Sequence, residues 1–158
     1  MKEIKLTQNK VVMVDDEDFE WLNQWKWHVQ KDKNRWYAVR NDKMANVRMH
    51  RLILDLKSFK YDKRIIDHKD NNGLNNQRHN LRICNNSQNQ MNRNLTSSSG
   101  YKGVSWHKLN NKWTAQVRFN KKNYHLGYFN DKREAALAYD KKATELFGEF
   151  AKTNFKFN

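Results

Sequence analysis

The chain has 158 residues, with 31 Lys and Arg against 17 Asp and Glu and a formal charge of +14, giving a pI near 9.9. That length admits one domain or two small ones, and that charge suits a polyanionic partner: DNA, RNA or an anionic membrane surface. No apolar run nears the ~18 residues of a membrane span, no leader pattern opens the chain, and the lone Cys84 excludes internal disulfides and multi-cysteine zinc sites. The expectation is an intracellular, cytoplasmic protein with no membrane and no obligate protein partner.

In chain order, Val11 to Val14 (VVMV) reads as a strand. The acidic residues Asp15, Asp16, Glu17, Asp18 and Glu20 then crowd around Phe19, Trp21, Leu22, Trp25 and Trp27. The spacing of Leu22 and Trp25, with Asp18 available as an N-cap, predicts a short helix. An acidic setting repels phosphate, so these tryptophans are expected in a core rather than stacked on bases. Trp36 to Val39 reads as a strand, and Val47 to Leu54 as a further strand or a short helix. Within it stand His50 and Arg51. Either Arg51 grips a phosphate near a site that His50 lines, or the two are an ordinary exposed pair.

The stretch from Ile65 to Asn92, IIDHKDNNGLNNQRHNLRICNNSQNQMN, has the order of a β-hairpin followed by a helix. Two β-branched residues lead into Asp67 and His68, an Asn- and Gly-rich loop follows, and Asn80-Leu81-Arg82 returns toward Asn89. A hard cation such as Mg²⁺ takes oxygen ligands and needs only one or two protein groups besides substrate phosphate. Asp67 offers a charged oxygen and Asn89 a neutral one. His68, with an ordinary pKa near ~6.5, can accept a proton from a water attacking a phosphodiester, and Asn80 can hold its imidazole by a hydrogen bond. Against this, Asn-rich loops are common turn material and an Asp-His pair alone is weak.

Residues 49 to 92, with MHRLIL, DHKDNNGLNN, HNLR and SQNQMN, resemble the HNH nucleases of the phage and intron homing-endonuclease type, whose catalytic unit is a ββα-metal fold. The resemblance implies Asp67 and Asn89 as metal ligands, His68 as general base and Asn80 as the residue that orients it, with one Mg²⁺ or Mn²⁺ per active site. Many such proteins carry His where this chain has Asn89; the amide keeps a ligand oxygen but removes a titrating group. Cys84, beside Ile83, is expected to be a small core residue.

The run NRNLTSSSG, rich in Ser and without apolar periodicity, is expected to be a flexible tether. It divides a nuclease domain (1–95) with a β-rich front half, through a linker (96–99), from a second domain (100–158). Beyond it three strands are expected, over 103–107, 113–119 and 123–129. From Tyr101 to Asn130 there are six basic residues and no acidic one. In the middle strand Trp113, Ala115, Val117 and Phe119 alternate with Thr114, Gln116 and Arg118, giving an apolar and a polar face. Asp131 with Glu134 predicts a helix start, Gly148 its stop, and the intervening alanines a close approach to a sheet. GYKGVSW, KWTAQVRF, LGYF, EAALAYDKKA and a closing NF resemble the AP2 domain, known best from plant transcription factors. That resemblance implies a three-stranded sheet packed on one helix, contacting double-stranded DNA through Lys102, Ser105, Gln116, Arg118 and His125. Arg51 is a further candidate DNA contact, from the first half.

The whole is therefore expected to be α+β: a β-rich module carrying a ββα-metal unit, then a three-stranded antiparallel sheet on one helix. The function expected is a metal-dependent DNA endonuclease of homing type that nicks one strand per active site. Two alternatives are a DNA-binding regulator with an inactive nuclease fold and an RNA-binding protein; the second leaves the Asp67–Asn89 constellation without a purpose.

Overall fold

The computed structural model describes residues 1–42, 46–56, 62–94 and 97–155. The chain divides into two compact units, Met1–Asn89 and Gln90–Asn158. Both mix short antiparallel sheets with helices, so the class is α+β. Among the described residues no helix is long and apolar enough to cross a membrane.

In the first unit, β1 (Lys2–Lys5) and β2 (Val11–Val14) pair antiparallel with Ile4 opposite Val12. Alternation then sends Ile4, Val12 and Val14 inward, where all three are buried. Helix α1 (Asp16–Asn23) follows at once, with three acidic side chains in its first turn facing the positive end of the helix dipole. Its N-cap is Asp15, not Asp18, and Asp15 makes no capping bond. Its carboxylate instead accepts from Arg78 N at 2.7 Å and Gln77 Nε2 at 3.2 Å.

A three-stranded meander comes next, β3 (His28–Asp32), β4 (Arg35–Asn41) and β5 (Asn46–Arg48), in that spatial order. The stretch expected to be either strand or helix is both, because β5 gives way to the short helix α2 (Met49–Ile53). Leu22, Trp27, Val29, Ala38, Met49 and Ile53 join the β1–β2 residues and Leu81 in one core, with Trp21, Trp25 and Trp36 packed at its margin. The tryptophans thus serve packing, as the acidic context predicts. The hairpin β6 (Ile65–His68) and β7 (Leu81–Cys84) leads into α3 (Asn86–Met91). Cys84 is buried, and burial pushes its thiol up to about 11.

The second unit is simpler. Strands β8 (Val104–His107), β9 (Lys112–Phe119) and β10 (Lys122–Phe129) form one antiparallel sheet in the order β10-β9-β8. Helix α4 (Lys132–Phe147) lies on it, with Ala135, Ala136, Tyr139 and Ala143 meeting Val104, Ala115 and Val117. Small helix residues permit that closeness, and Gly103 shows how tight it is. A Cβ there would stand 2.0 Å from the Tyr139 ring, on backbone already at φ +74°. Asp131 caps α4 by accepting from Arg133 N and Glu134 N, and Gly148 ends it at φ 53°. Buried Asp140 accepts from Asn154 N, Asn154 Nδ2 and Phe155 N and so fastens the last described turn.

Ser97 and Ser99, expected in a tether, are built into this unit: both hydroxyls donate to Val104 O, at 2.6 and 2.9 Å. A serine hydroxyl can end a backbone carbonyl's search for a donor as readily as it can face water, which composition alone does not reveal. Thr96 lies outside the described residues.

Candidate active site and nucleic-acid interface

The hairpin register places Asp67 opposite Arg82 and His68 opposite Leu81. Both acid and imidazole are almost fully buried, at 1% and 2% exposure. A buried carboxylate demands a partner. Asp67 Oδ2 has one in Arg82, whose Nη2 and Nε approach to 2.7 and 3.0 Å.

The loop between the two strands is held by its own asparagines and by the front of the chain. Asn72 N donates to Asp70 Oδ1, Leu74 N to Asn72 Oδ1 and Gln77 N to Asn75 Oδ1, three successive side-chain turns. Asn80 Oδ1 accepts from Asp70 N, and its Nδ2 donates to Asp70 Oδ1 and Asn75 O. The amide expected to hold the imidazole therefore secures the loop instead. Burial opposes the charge on Asp70, but the hydrogen bonds from Asn72, Asn75 and Asn80 outweigh it and hold that carboxyl below its ordinary range. From outside the loop, Met13 N donates to Leu74 O and Asn76 N to Met13 O, both at 2.8 Å. The acidic cluster also acts here. Asp18, buried in α1, takes Arg78 Nε and Nη2 at 2.8 and 2.7 Å. Gly73 completes the seat, because a Cβ there would lie 2.4 Å from Trp36 O.

His68 meets three residues that the motif spacing does not single out together. Its Nε2 stands 2.9 Å from Asn76 Oδ1, its ring lies edge-on to His50 at 5.0 Å, and Tyr37 packs at 6.0 Å from it and 5.7 Å from His50. Burial drives the His50 imidazole well below its ordinary pKa, with the neighbouring charges of His68, Arg48 and Arg51 adding to the effect. Burial likewise lowers His68, although Asn76, Asp70 and Asp67 pull the other way. Both rings are therefore neutral at pH 7, and a neutral imidazole has a lone pair for a proton. Two atoms in this cluster are buried without a hydrogen-bond partner, His50 Nδ1 and Asn76 Nδ2. Each such orphan costs about 1–3 kcal/mol, a price that folds rarely carry without a reason.

Of the remaining candidates, Asn89 is half-buried on α3, and among the described residues its side chain is hydrogen-bonded to neither Asp67 nor His68. Arg51 is buried, and its guanidinium donates to Arg64 O and Asp62 O at 2.8 Å each, so it anchors the segment leading into β6. Lys102 likewise bonds backbone carbonyls of its own unit. Its Nζ donates to Met91 O at 2.5 Å and Arg93 O at 3.0 Å, and burial, with Lys152 nearby, pushes the ammonium down to about 8.

The outer face of the second sheet does gather the other candidates. Gln116 and Arg118 are exposed on β9, His125 is exposed opposite Gln116 on β10, and Ser105 is half-exposed on β8. Tyr128, 43% exposed, stacks between His125 at 4.7 Å and His107 at 5.0 Å on the same face. Neither histidine-tyrosine contact is foreseeable from alternation alone, because a bulge between His125 and Gly127 re-aims the end of β10.

Among the described residues no three His, Cys, Asp or Glu side chains come together as a metal cage. The oxygen donors that the resemblance names are the Asp67 carboxylate, with Arg82 on its Oδ2, and the Asn89 amide on α3. Carboxylate and amide oxygens are the donor types of a hard cation, not of zinc held by protein alone.

No family model and no solved structure matches the chain. Part of the chain is similar to part of an ethylene-responsive transcription factor of Arabidopsis thaliana, 44% identical over 59 residues, 36% of this chain and 14% of that protein. Over most of its length it is similar to an uncharacterised HNH endonuclease of Acanthamoeba polyphaga mimivirus, 35% identical over 135 residues that make up 84% of this chain and 68% of the viral protein. With that extent of likeness, and an Asp-His pair set in a hairpin that runs on into a helix, the chain belongs to the HNH endonuclease family.

Proposed function

We propose that the protein is a divalent-metal-dependent DNA endonuclease of homing type, in which the first unit cuts and the second holds DNA. The observation that carries the reading is the state of His68: buried, neutral, adjacent to Asp67 and set between Asn76 and His50. His68 takes the proton of the attacking water. Asp67 and Asn89 would hold one Mg²⁺ or Mn²⁺, which would supply charge neutralisation at the scissile phosphate and the leaving oxygen. In the second unit Arg118, Gln116, His125 and Ser105 meet the double helix, with lysines such as Lys112 and Lys122 at its phosphates. One ion site per chain gives one cut per visit, so a monomer nicks.

A second reading, a DNA-binding regulator with an inert nuclease fold, gains support from Arg82, whose guanidinium already neutralises Asp67 at Oδ2. Incubation with supercoiled plasmid decides between them. The nuclease reading expects nicked circles that need Mg²⁺ or Mn²⁺ and precede linear product; plasmid left supercoiled with either ion, while a gel shift still reports binding, would favour the regulator.

A further inference from the structure

We infer that Asn76 is the positioning residue for His68, its Oδ1 accepting from Nε2–H and so fixing the imidazole in one tautomer with the lone pair on Nδ1. The inference rests on the reading of His68 as general base, and it gives to Asn76 the task that motif spacing assigns to Asn80.

Three observations support it. The first is the contact, 2.9 Å from Asn76 Oδ1 to His68 Nε2 at a residue with no solvent exposure. The second is a division of labour among the loop asparagines. Asn72, Asn75 and Asn80 use their side chains to fasten the loop to itself. Asn76 contributes to the loop through its backbone, with N–H donated to Met13 O, while its side-chain oxygen meets the imidazole. The third is the buried, unpartnered Nδ2 of the same amide. A side chain kept for loop stability would employ its donor; this one leaves it idle while the oxygen holds the ring. Turning the amide over would satisfy Nδ2 with the Nε2 lone pair and move the imidazole proton to Nδ1. The two orientations are thus two different bases, and the one inferred here puts the imidazole proton on Nε2.

Delivery of the amide does not depend on His68. The bridge from β2 to Leu74 and Asn76, the grip of Asp15 on Gln77 and Arg78, and the contact of Gly73 with Trp36 set the loop from three sides. The neutral His50 ring also packs edge-on against His68, at 5.0 Å. An imidazole held in that way keeps its orientation before DNA arrives, which is the condition for an efficient proton acceptor.

The test is nitrogen-15 NMR of the full chain labelled at histidine, with the His68 signals identified by their loss in His68→Gln. The wild type should show a protonated Nε2 and a bare Nδ1. Asn76→Leu should turn this into a tautomer mixture and lower kcat for plasmid nicking by about 10–100-fold with KM within about twofold, the usual consequence of losing an outer partner. Asn76→Asp, which keeps an acceptor of the same shape, should restore the single Nε2–H form and serves where the leucine variant does not fold. A bare Nε2 in the wild type, or a tautomer unmoved in Asn76→Leu, would overturn the assignment. A wild type with the expected signature and no nicking would uphold the hydrogen bond while sinking the nuclease reading.

Discussion

The two units hold their functional side chains in opposite ways. In Gln90–Asn158 a single sheet on a single helix presents Gln116, Arg118 and His125 by strand alternation, so each side chain's direction follows from its neighbours in sequence. In Met1–Asn89 no one element positions His68. Its surroundings come from β4 (Tyr37), α2 (His50), a loop (Asn76) and, through that loop, from β2 and α1. The lesson is that a recognition face can be periodic and tolerant, whereas a site for proton transfer is assembled from distant pieces that must each be right.

That contrast can be broken first at the base itself. His68→Ala should reduce nicking by ~10²–10⁴-fold and leave DNA affinity within a few fold, because a general base acts on the rate and little on ground-state binding. A comparable loss of affinity, read by gel shift, would mean that His68 belongs to the binding surface and the separation of roles fails. The reverse result is expected on the sheet. Arg118→Ala should weaken target binding by about 1–3 kcal/mol if it meets a base edge, or flatten the salt dependence by about one phosphate contact if it meets the backbone, with kcat at saturation unchanged. Equal binding at every salt concentration would remove this face from the interface.

Two glycines sharpen the comparison at the level of packing. Gly73→Ala drives a methyl toward Trp36 O and the Tyr37 ring, at 2.4 and 2.8 Å. Gly103→Ala drives one toward the Tyr139 ring, and its positive φ adds strain. Each should cost about 1–3 kcal/mol in thermal unfolding, the usual penalty of overpacking. Their functional readouts should part company. Gly73→Ala displaces the loop that carries Asn76 and so should depress kcat, while Gly103→Ala should depress affinity. If both altered the same parameter, the two units would not be acting separately.

How much of this is legible in the sequence follows the same line. The three strands and helix of the second unit are readable because Trp113, Ala115 and Val117 alternate cleanly and Asp131 and Gly148 mark the helix ends. The hairpin carrying Asp67 and His68 is readable too, from β-branched leads on either side of an Asn-Gly loop. What spacing cannot supply is which of the five asparagines from Asn71 to Asn80 meets the imidazole. Asn80 and Asn76 have the same chemistry, and only the bridge from Met13 to Asn76 N, 63 positions away, decides between them. For Arg51 and Lys102 the sequence shows a charge without its direction, and each donates to backbone carbonyls of its own unit. Asp18 shows the converse, since an acidic residue in an exposed-looking cluster proves to be the buried partner of Arg78.

A further effect, of pH, is expected on the first unit alone. His50 and His68 are buried neutral, and burial holds both below their ordinary value of 6.5. In the unfolded chain each imidazole takes up a proton as pH falls through about 6.5, whereas the folded chain resists until its lower pKa is reached. The unfolded state therefore binds more protons in that window, and stability is complete above it and declines as pH drops below it. The slope approaches about 1.4 kcal/mol per pH unit for each histidine that remains neutral in the fold. Urea unfolding followed through the tryptophans, which are concentrated in the first unit, should show this decline between neutrality and pH 5, and His50→Phe should remove a share of it. A midpoint that holds steady over that range would mean that the two rings are not kept neutral together, and that the slot around His68 opens more readily than its packing against His50 and Tyr37 implies.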